Sequence, residues 1–105
     1  MDALSAFDAR SAPRPGGAVA REKLGERELS KLRWRCRRGL LENDLFIERF
    51  FARHEAQLTA GNAWGLNVLM DLADNDLLDL LLRRKEPEAG ITTEEVLEVL
   101  EMLRN

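Results

Sequence analysis

At 105 residues and 45% hydrophobic content the chain can bury one core and hardly two, and 33% charge with only four Phe, two Trp and no Tyr suits helices with solvated faces better than a sandwich or barrel. One cysteine, Cys36, excludes an internal disulfide framework and any site built from several cysteines, which fits a cytoplasmic chain. The net charge of −3 hides a division: residues 1–26 are neutral, 27–53 carry +4 and 54–105 carry −7, so the chain can meet a partner electrostatically.

The opening MDALSAFDAR carries acids where a signal peptide carries a basic region, and no apolar run reaches the roughly 18 residues of a membrane span. Residues 11–20, SAPRPGGAVA, combine two prolines with a Gly-Gly pair and have little to bury, so residues 1–25 are expected to form a flexible tail. From residue 26 onward Leu29, Leu32 and Cys36 recur at three- and four-residue steps and predict an amphipathic helix. A glycine within a helix costs about 1 kcal/mol relative to alanine, whereas just past one it adopts the left-handed conformation that closes the last turn. Gly39 is therefore expected to end this helix and turn the chain.

Leu41, Leu45, Ile47, Phe50 and Phe51 then predict a second helix to about residue 55. Glu42 and Asp44 fall in its first turn, and Arg37 and Arg38 in the last turn of the helix before, each where the helix dipole favours its charge. QLTAGNAW reads as a loop by composition, and helical spacing resumes through Trp64, Val68, Leu69 and Leu72, weakened by Gly65. Asn75 is placed to cap a short apolar helix that ends before Pro87 and Gly90. Thr92 with Glu95 forms a capping-box pattern, opening a last helix through Val96, Leu97, Leu100 and Leu103. The expected fold is all-α, a compact five-helix bundle over residues 26–105.

The chemistry-bearing residues are few. With one histidine and one cysteine there is no zinc pattern, and no calcium loop, phosphate-binding loop or dinucleotide fingerprint occurs. His54 and Glu55 are adjacent, and adjacent helical residues point about 100° apart, so they do not form an acid–base pair. Cys36 lies among arginines that would activate an exposed thiol, but it shares the apolar series of Leu29 and Leu32 and reads as core. Trp34 lies off that series and is either a partner anchor or a packing residue. Arg33, Arg35, Arg37 and Arg38 could contact phosphates, or could form a solvated face with local ion pairs of small worth.

RWRCRRGLLENDLFIERFF, residues 33–51, resembles the signature of the succinate dehydrogenase assembly factor family. The motif Arg-Gly-x-x-Glu is supplied by Arg38, Gly39 and Glu42, with Arg37 before it, Trp34 upstream and Asp44 two places beyond the glutamate. Phe50-Phe51 and His54-Glu55 also fit, and the similarity extends over about residues 27–105.

The resemblance implies a five-helix protein whose helical assembly-factor domain, residues 26–105, promotes covalent attachment of FAD to the flavoprotein subunit of succinate dehydrogenase. It implies that Arg38, Gly39 and Glu42 dock on that subunit, supported by Arg37, Asp44 and Trp34, with the fumarate reductase flavoprotein subunit a further candidate client. On this reading the factor is not an enzyme, holds no tightly bound cofactor or metal, acts on the FAD of its partner, and is a cytoplasmic monomer when free, without nucleic acid or membrane insertion. The alternative is an antitoxin-like or nucleic-acid-binding regulator that uses the arginine-rich first helix.

Overall fold

The computed structural model describes residues 14–37 and 39–105. Six helices occur among them: α1 (Gly17–Ala20), α2 (Glu26–Arg35), α3 (Leu41–His54), α4 (Ala60–Met70), α5 (Asp74–Leu81) and α6 (Glu94–Arg104), with 3-10 turns at Glu55–Gln57 and Ala89–Ile91. The expected all-α class holds. The count of five is corrected to six because α1, a single turn, lies in the stretch assigned to the tail.

The central packing is α4 against α6, with Leu66, Leu69 and Met70 buried on one and Val96, Val99, Leu100 and Leu103 on the other. Two glycines let neighbouring backbones come close, Gly65 that of α6 and Gly61 that of α1. A Cβ on Gly65 would lie 2.6 Å from the Glu95 carbonyl oxygen, and one on Gly61 would lie 3.1 Å from that of Ala20. These glycines stand one turn apart inside a helix, so they supply space rather than a bend. Their presence is what made QLTAGNAW look like a loop. That stretch instead contains the start of α4, where the Thr59 hydroxyl accepts from the Asn62 N–H (3.2 Å) and the Asn62 side chain accepts from the Thr59 N–H (3.0 Å). The pair is a capping box with asparagine in place of the usual Glu or Gln.

Other boundaries shift for similar local reasons. Thr93, not Thr92, caps α6, its hydroxyl accepting from the Val96 N–H (3.2 Å), while the Thr92 hydroxyl donates to the Glu88 carbonyl (2.7 Å). Ala73 precedes α5, leaving Asn75 inside it, and the basic pair Arg83-Arg84 follows the helix instead of closing it. Helix α2 ends at Arg35, so Arg33 and Arg35 occupy its last turn and Gly39 belongs to the link.

Residues 14–25, expected to be part of a flexible tail, run over the molecule as a strap. Lys23 and Thr59 form an antiparallel bridge, flanked by hydrogen bonds from Leu24 N–H to Leu58 O and from Ala60 N–H to Glu22 O, both 2.9 Å. Upstream, Arg14 makes a two-pronged ion pair with Glu95 (2.7 and 2.8 Å) and lies over the Trp64 ring, 5.8 Å from its centroid. Residues 1–13, the remainder of the expected tail, lie outside the described residues. Helix α3 packs on α5 and α6, away from the strap, and its N-terminal end forms the corner described next.

Candidate functional site

The corner is built by the end of α2, the link 36–40 and the first turn of α3. Gly39 has φ +87°, in the left-handed region where a side chain is strained, and a Cβ there would meet nothing within 4 Å. The glycine is thus required by the turn itself. Leu40 precedes α3, and Glu42 and Asp44 sit in its first turn, as expected from the dipole.

Between them Asn43 is fully buried, and its side-chain amide donates to the Asp74 carbonyl at the start of α5 (3.1 Å). This bond fixes the rotation of α3: with Asn43 inward, Glu42 and Asp44 are turned about 100° to either side of it. Asn43 was not singled out by the sequence reading. The available signal was its spacing, since Asn43, Ile47, Phe50 and Phe51 form the buried face at four- and three-residue steps.

The same rotation overturns the expected roles of two leucines. Leu41 and Leu45, read as core-facing, are 68% and 60% exposed. Trp34 is also exposed, at 65%, with the Arg37 guanidinium over its ring at 5.5 Å from the centroid, a cation–π arrangement. Of the two readings left open for Trp34, the surface position is the one observed. A cleft opens between α2 and α3, walled by Trp34, Arg37, Asp44 and Glu48, with Cys36 and Ile47 at its base.

The arginine series divides into two kinds. Arg33 pairs with Glu55 (2.6 Å) and lies over Phe51, and half-buried Arg35 donates to Asp71 (2.6 Å) and Asn67 (3.2 Å), tying α2 to α4. Those two are internal ties, so α2 does not present the continuous basic stripe that a phosphate backbone would need. Arg37 is exposed at the corner; Arg38, expected at the centre of the motif, lies outside the described residues. Among the described residues none pairs with the Glu42 carboxylate, which is exposed.

The reactive side chains lie elsewhere or are covered. Cys36 is fully buried, as its apolar spacing suggested, and His54 ends α3 packed against Phe50, ring centroids 5.6 Å apart. Among the described residues no group of three or more His, Cys, Asp or Glu is placed to hold a metal ion, and no helix is long and apolar enough to cross a membrane. The corner presents a left-handed glycine turn, a carboxylate unpaired among the described residues, a stacked cation and exposed apolar groups.

Comparison with known proteins gives the chain a family. A family model described as flavinator of succinate dehydrogenase matches residues 30–105. The chain is 53% identical over 75 residues to the FAD assembly factor SdhE of Ralstonia nicotianae, covering 71% of this chain and 79% of the relative. It is 35% identical over 82 residues to the FAD assembly factor SdhE of Legionella pneumophila, covering 78% of this chain and 98% of the relative. With the corresponding protein of Coxiella burnetii the identity is 42% over 60 residues, covering 57% of this chain and 73% of the relative. No solved structure matches. The matched region takes in the glycine corner and the helices that hold it, and the chain belongs to the family of succinate dehydrogenase flavinators.

Proposed function

We propose that this protein is an assembly factor that binds the flavoprotein subunit of succinate dehydrogenase and promotes covalent attachment of FAD to it. The observation that carries this reading is the Glu42 carboxylate, held in an exposed first turn by buried Asn43 and paired with no described residue. A carboxylate anchored so firmly and left unpaired inside its own fold is available for a partner.

Joining a histidine of the flavoprotein to its flavin requires orientation of the two groups and stabilisation of charge developing on the ring. Neither task calls for a nucleophile from the factor, and buried Cys36 is not positioned to be one. The factor therefore acts as an accessory protein and not as the catalyst. It works on FAD held by the client and binds none tightly itself. Glu42 and Gly39 contact the client, Arg37, Asp44 and Trp34 extend the contact, and Arg38 completes the motif. The free factor is a cytoplasmic monomer, and the fumarate reductase flavoprotein subunit is a second client.

The test is covalent flavin on a cognate flavoprotein subunit, read as in-gel fluorescence after denaturation, with wild type, with Glu42→Ala and with no factor. Wild type is expected to raise the signal, and Glu42→Ala to melt like wild type while failing to raise it. Equal signal with and without wild type would overturn the reading. A destabilised Glu42→Ala that acts normally per folded molecule would remove Glu42 from the contact.

A further inference from the structure

We propose that the affinity of this docking surface resides in an apolar ridge, Leu41 and Leu45 together with Trp34, while the charged motif residues set the orientation of the client. The inference rests on the assembly-factor reading and says which part of the corner holds the partner.

The exposure of these side chains is the first observation. Leu41, Trp34 and Leu45 are the most exposed large hydrophobic residues among those described, ahead of Val19 at 53%. One exposed leucine needs no explanation, but three large apolar groups converging on one corner do. Leu41 and Leu45 are one turn apart and share a face of α3, and the inward positions Asn43, Ile47 and Phe50 hold the opposite face against the core. Rotation of the helix to bury the leucines would pull Asn43 off the Asp74 carbonyl and expose Phe50. Their exposure is therefore imposed by the fold.

Continuity is the second observation. Asp44 and Glu48 line one wall of the cleft and lie three residues beyond Leu41 and Leu45, which places the exposed leucines beside that wall on the same helix; Trp34 lines the facing wall. Glu42 adjoins Leu41, and Arg37 stacks on Trp34. Apolar groups on the two sides of a cleft, edged by the carboxylates Glu42, Asp44 and Glu48 and by the Arg37 guanidinium, match an interface with apolar anchors and a polar rim. The occupant that fits is the flavoprotein subunit, through a surface with an apolar strip, a cation for Glu42 and an anion for Arg37.

The experiment compares wild type, the Leu41→Ala/Leu45→Ala double variant, Glu42→Gln, and Leu97→Ala, which truncates a half-exposed leucine on α6 away from the corner. Dissociation constants for the purified flavoprotein subunit lacking covalent flavin are measured by calorimetry, flavinylation is measured against factor concentration, and each variant is melted. The double leucine variant is expected to weaken binding by roughly 30-fold or more, as hot-spot truncations do, with little change in melting temperature. It should raise the factor concentration needed for half-maximal flavinylation, whereas Glu42→Gln should lower the plateau and Leu97→Ala should change neither. The wild-type dissociation constant should move less than about threefold between low and high salt, since apolar contacts are not screened.

A double variant that binds like wild type, or a wild-type affinity that falls steeply with salt, overturns the ridge while leaving the assembly-factor reading intact. A wild type that neither binds nor stimulates overturns both. A free dimer broken by the leucine substitutions, with client binding unaltered, assigns the ridge to a second copy and also overturns the proposal.

Discussion

The α4–α6 side and the α2–α3 corner use the same residue types for opposite ends. On the α4–α6 side, Gly61 and Gly65 remove side chains so that backbones can touch, and charged Glu95 and Glu98 are matched by Arg14 and Asn62. At the corner, Gly39 has open space around it and is needed for its φ of +87°, Glu42 has no partner among the described residues, and leucines face solvent. One side pairs its carboxylates within the fold, although the Trp64 indole N–H is buried there without a partner, and the other holds Glu42 and the leucines outward on a scaffold that prevents them from turning in. On the assembly-factor reading proposed above, that difference separates the residues that make the fold from those that meet the client, and it can be tested one glycine at a time.

The largest expected effect is at Gly65. An added methyl would stand 2.6 Å from the Glu95 carbonyl oxygen and 2.8 Å from its carbon, both backbone atoms that cannot swing aside. Gly65→Ala should cost about 3 kcal/mol by forcing α4 and α6 apart. In a domain of this size that lowers the melting point by roughly 12 to 24 °C. Flavinylation per folded molecule should survive, because the corner is remote from this contact. An unchanged melting point would break the comparison at its strongest place.

The same contrast explains what could be read from the sequence. Elements whose identity depends on apolar spacing, such as α2 through Leu32 and Cys36 or α6 through Val96, Leu100 and Leu103, were legible, because burial writes itself into the pattern. The turn at Gly39 and the acids of the first turn of α3 were legible too, from backbone and dipole alone, whereas Arg37, expected in the last turn of α2, falls in the link because that helix ends at Arg35. The register of α3 was not. Leu41 and Leu45 carry an apolar signal and Asn43 a polar one, yet a single hydrogen bond to Asp74 and the burial of Ile47 and Phe50 reverse their places. The start of α4 was hidden because glycine has two uses, and composition does not say which applies. The strap was hidden because backbone bonds to Leu58 and Ala60 and the Arg14–Glu95 pair hold it, and none of these leaves a hydrophobic period.

An intermediate effect is expected at Gly39. Nothing stands within 4 Å of an added Cβ, so the cost of Gly39→Ala is conformational, about 1 kcal/mol for an L-residue held at positive φ. Urea denaturation should show that loss. Flavinylation at a temperature where the variant is fully folded should fall by much more than the folded fraction, because relaxing the turn moves Glu42 relative to α2. If stimulation tracked stability alone, the corner's conformation would serve the fold only, and the division drawn between the two sides would need to be moved.

The smallest effect belongs to the strap and is a matter of pH. The Arg14 guanidinium, hydrogen-bonded to Glu95, holds that carboxyl below the ordinary glutamate value, against the opposing influence of partial burial. A carboxylate whose folded pKa is lowered contributes stability above its unfolded value of about 4.3, and that contribution is lost as pH falls through the lowered folded value. The strap should therefore stay clasped at neutral pH and release its Arg14 end only in acid, below the ordinary glutamate range. Trp64 lies beneath Arg14 and reports the event. With Trp34→Phe it becomes the sole tryptophan of the two in the chain. Its emission should shift on acidification while the helical circular dichroism persists, and Glu95→Gln or Arg14→Gln should show the shifted emission already at pH 7. A transition near pH 6, or one untouched by Glu95→Gln, would mean that the Arg14–Glu95 pair does not hold this end of the strap. The strap would then be held by the backbone bonds around the bridge of Lys23 and Thr59.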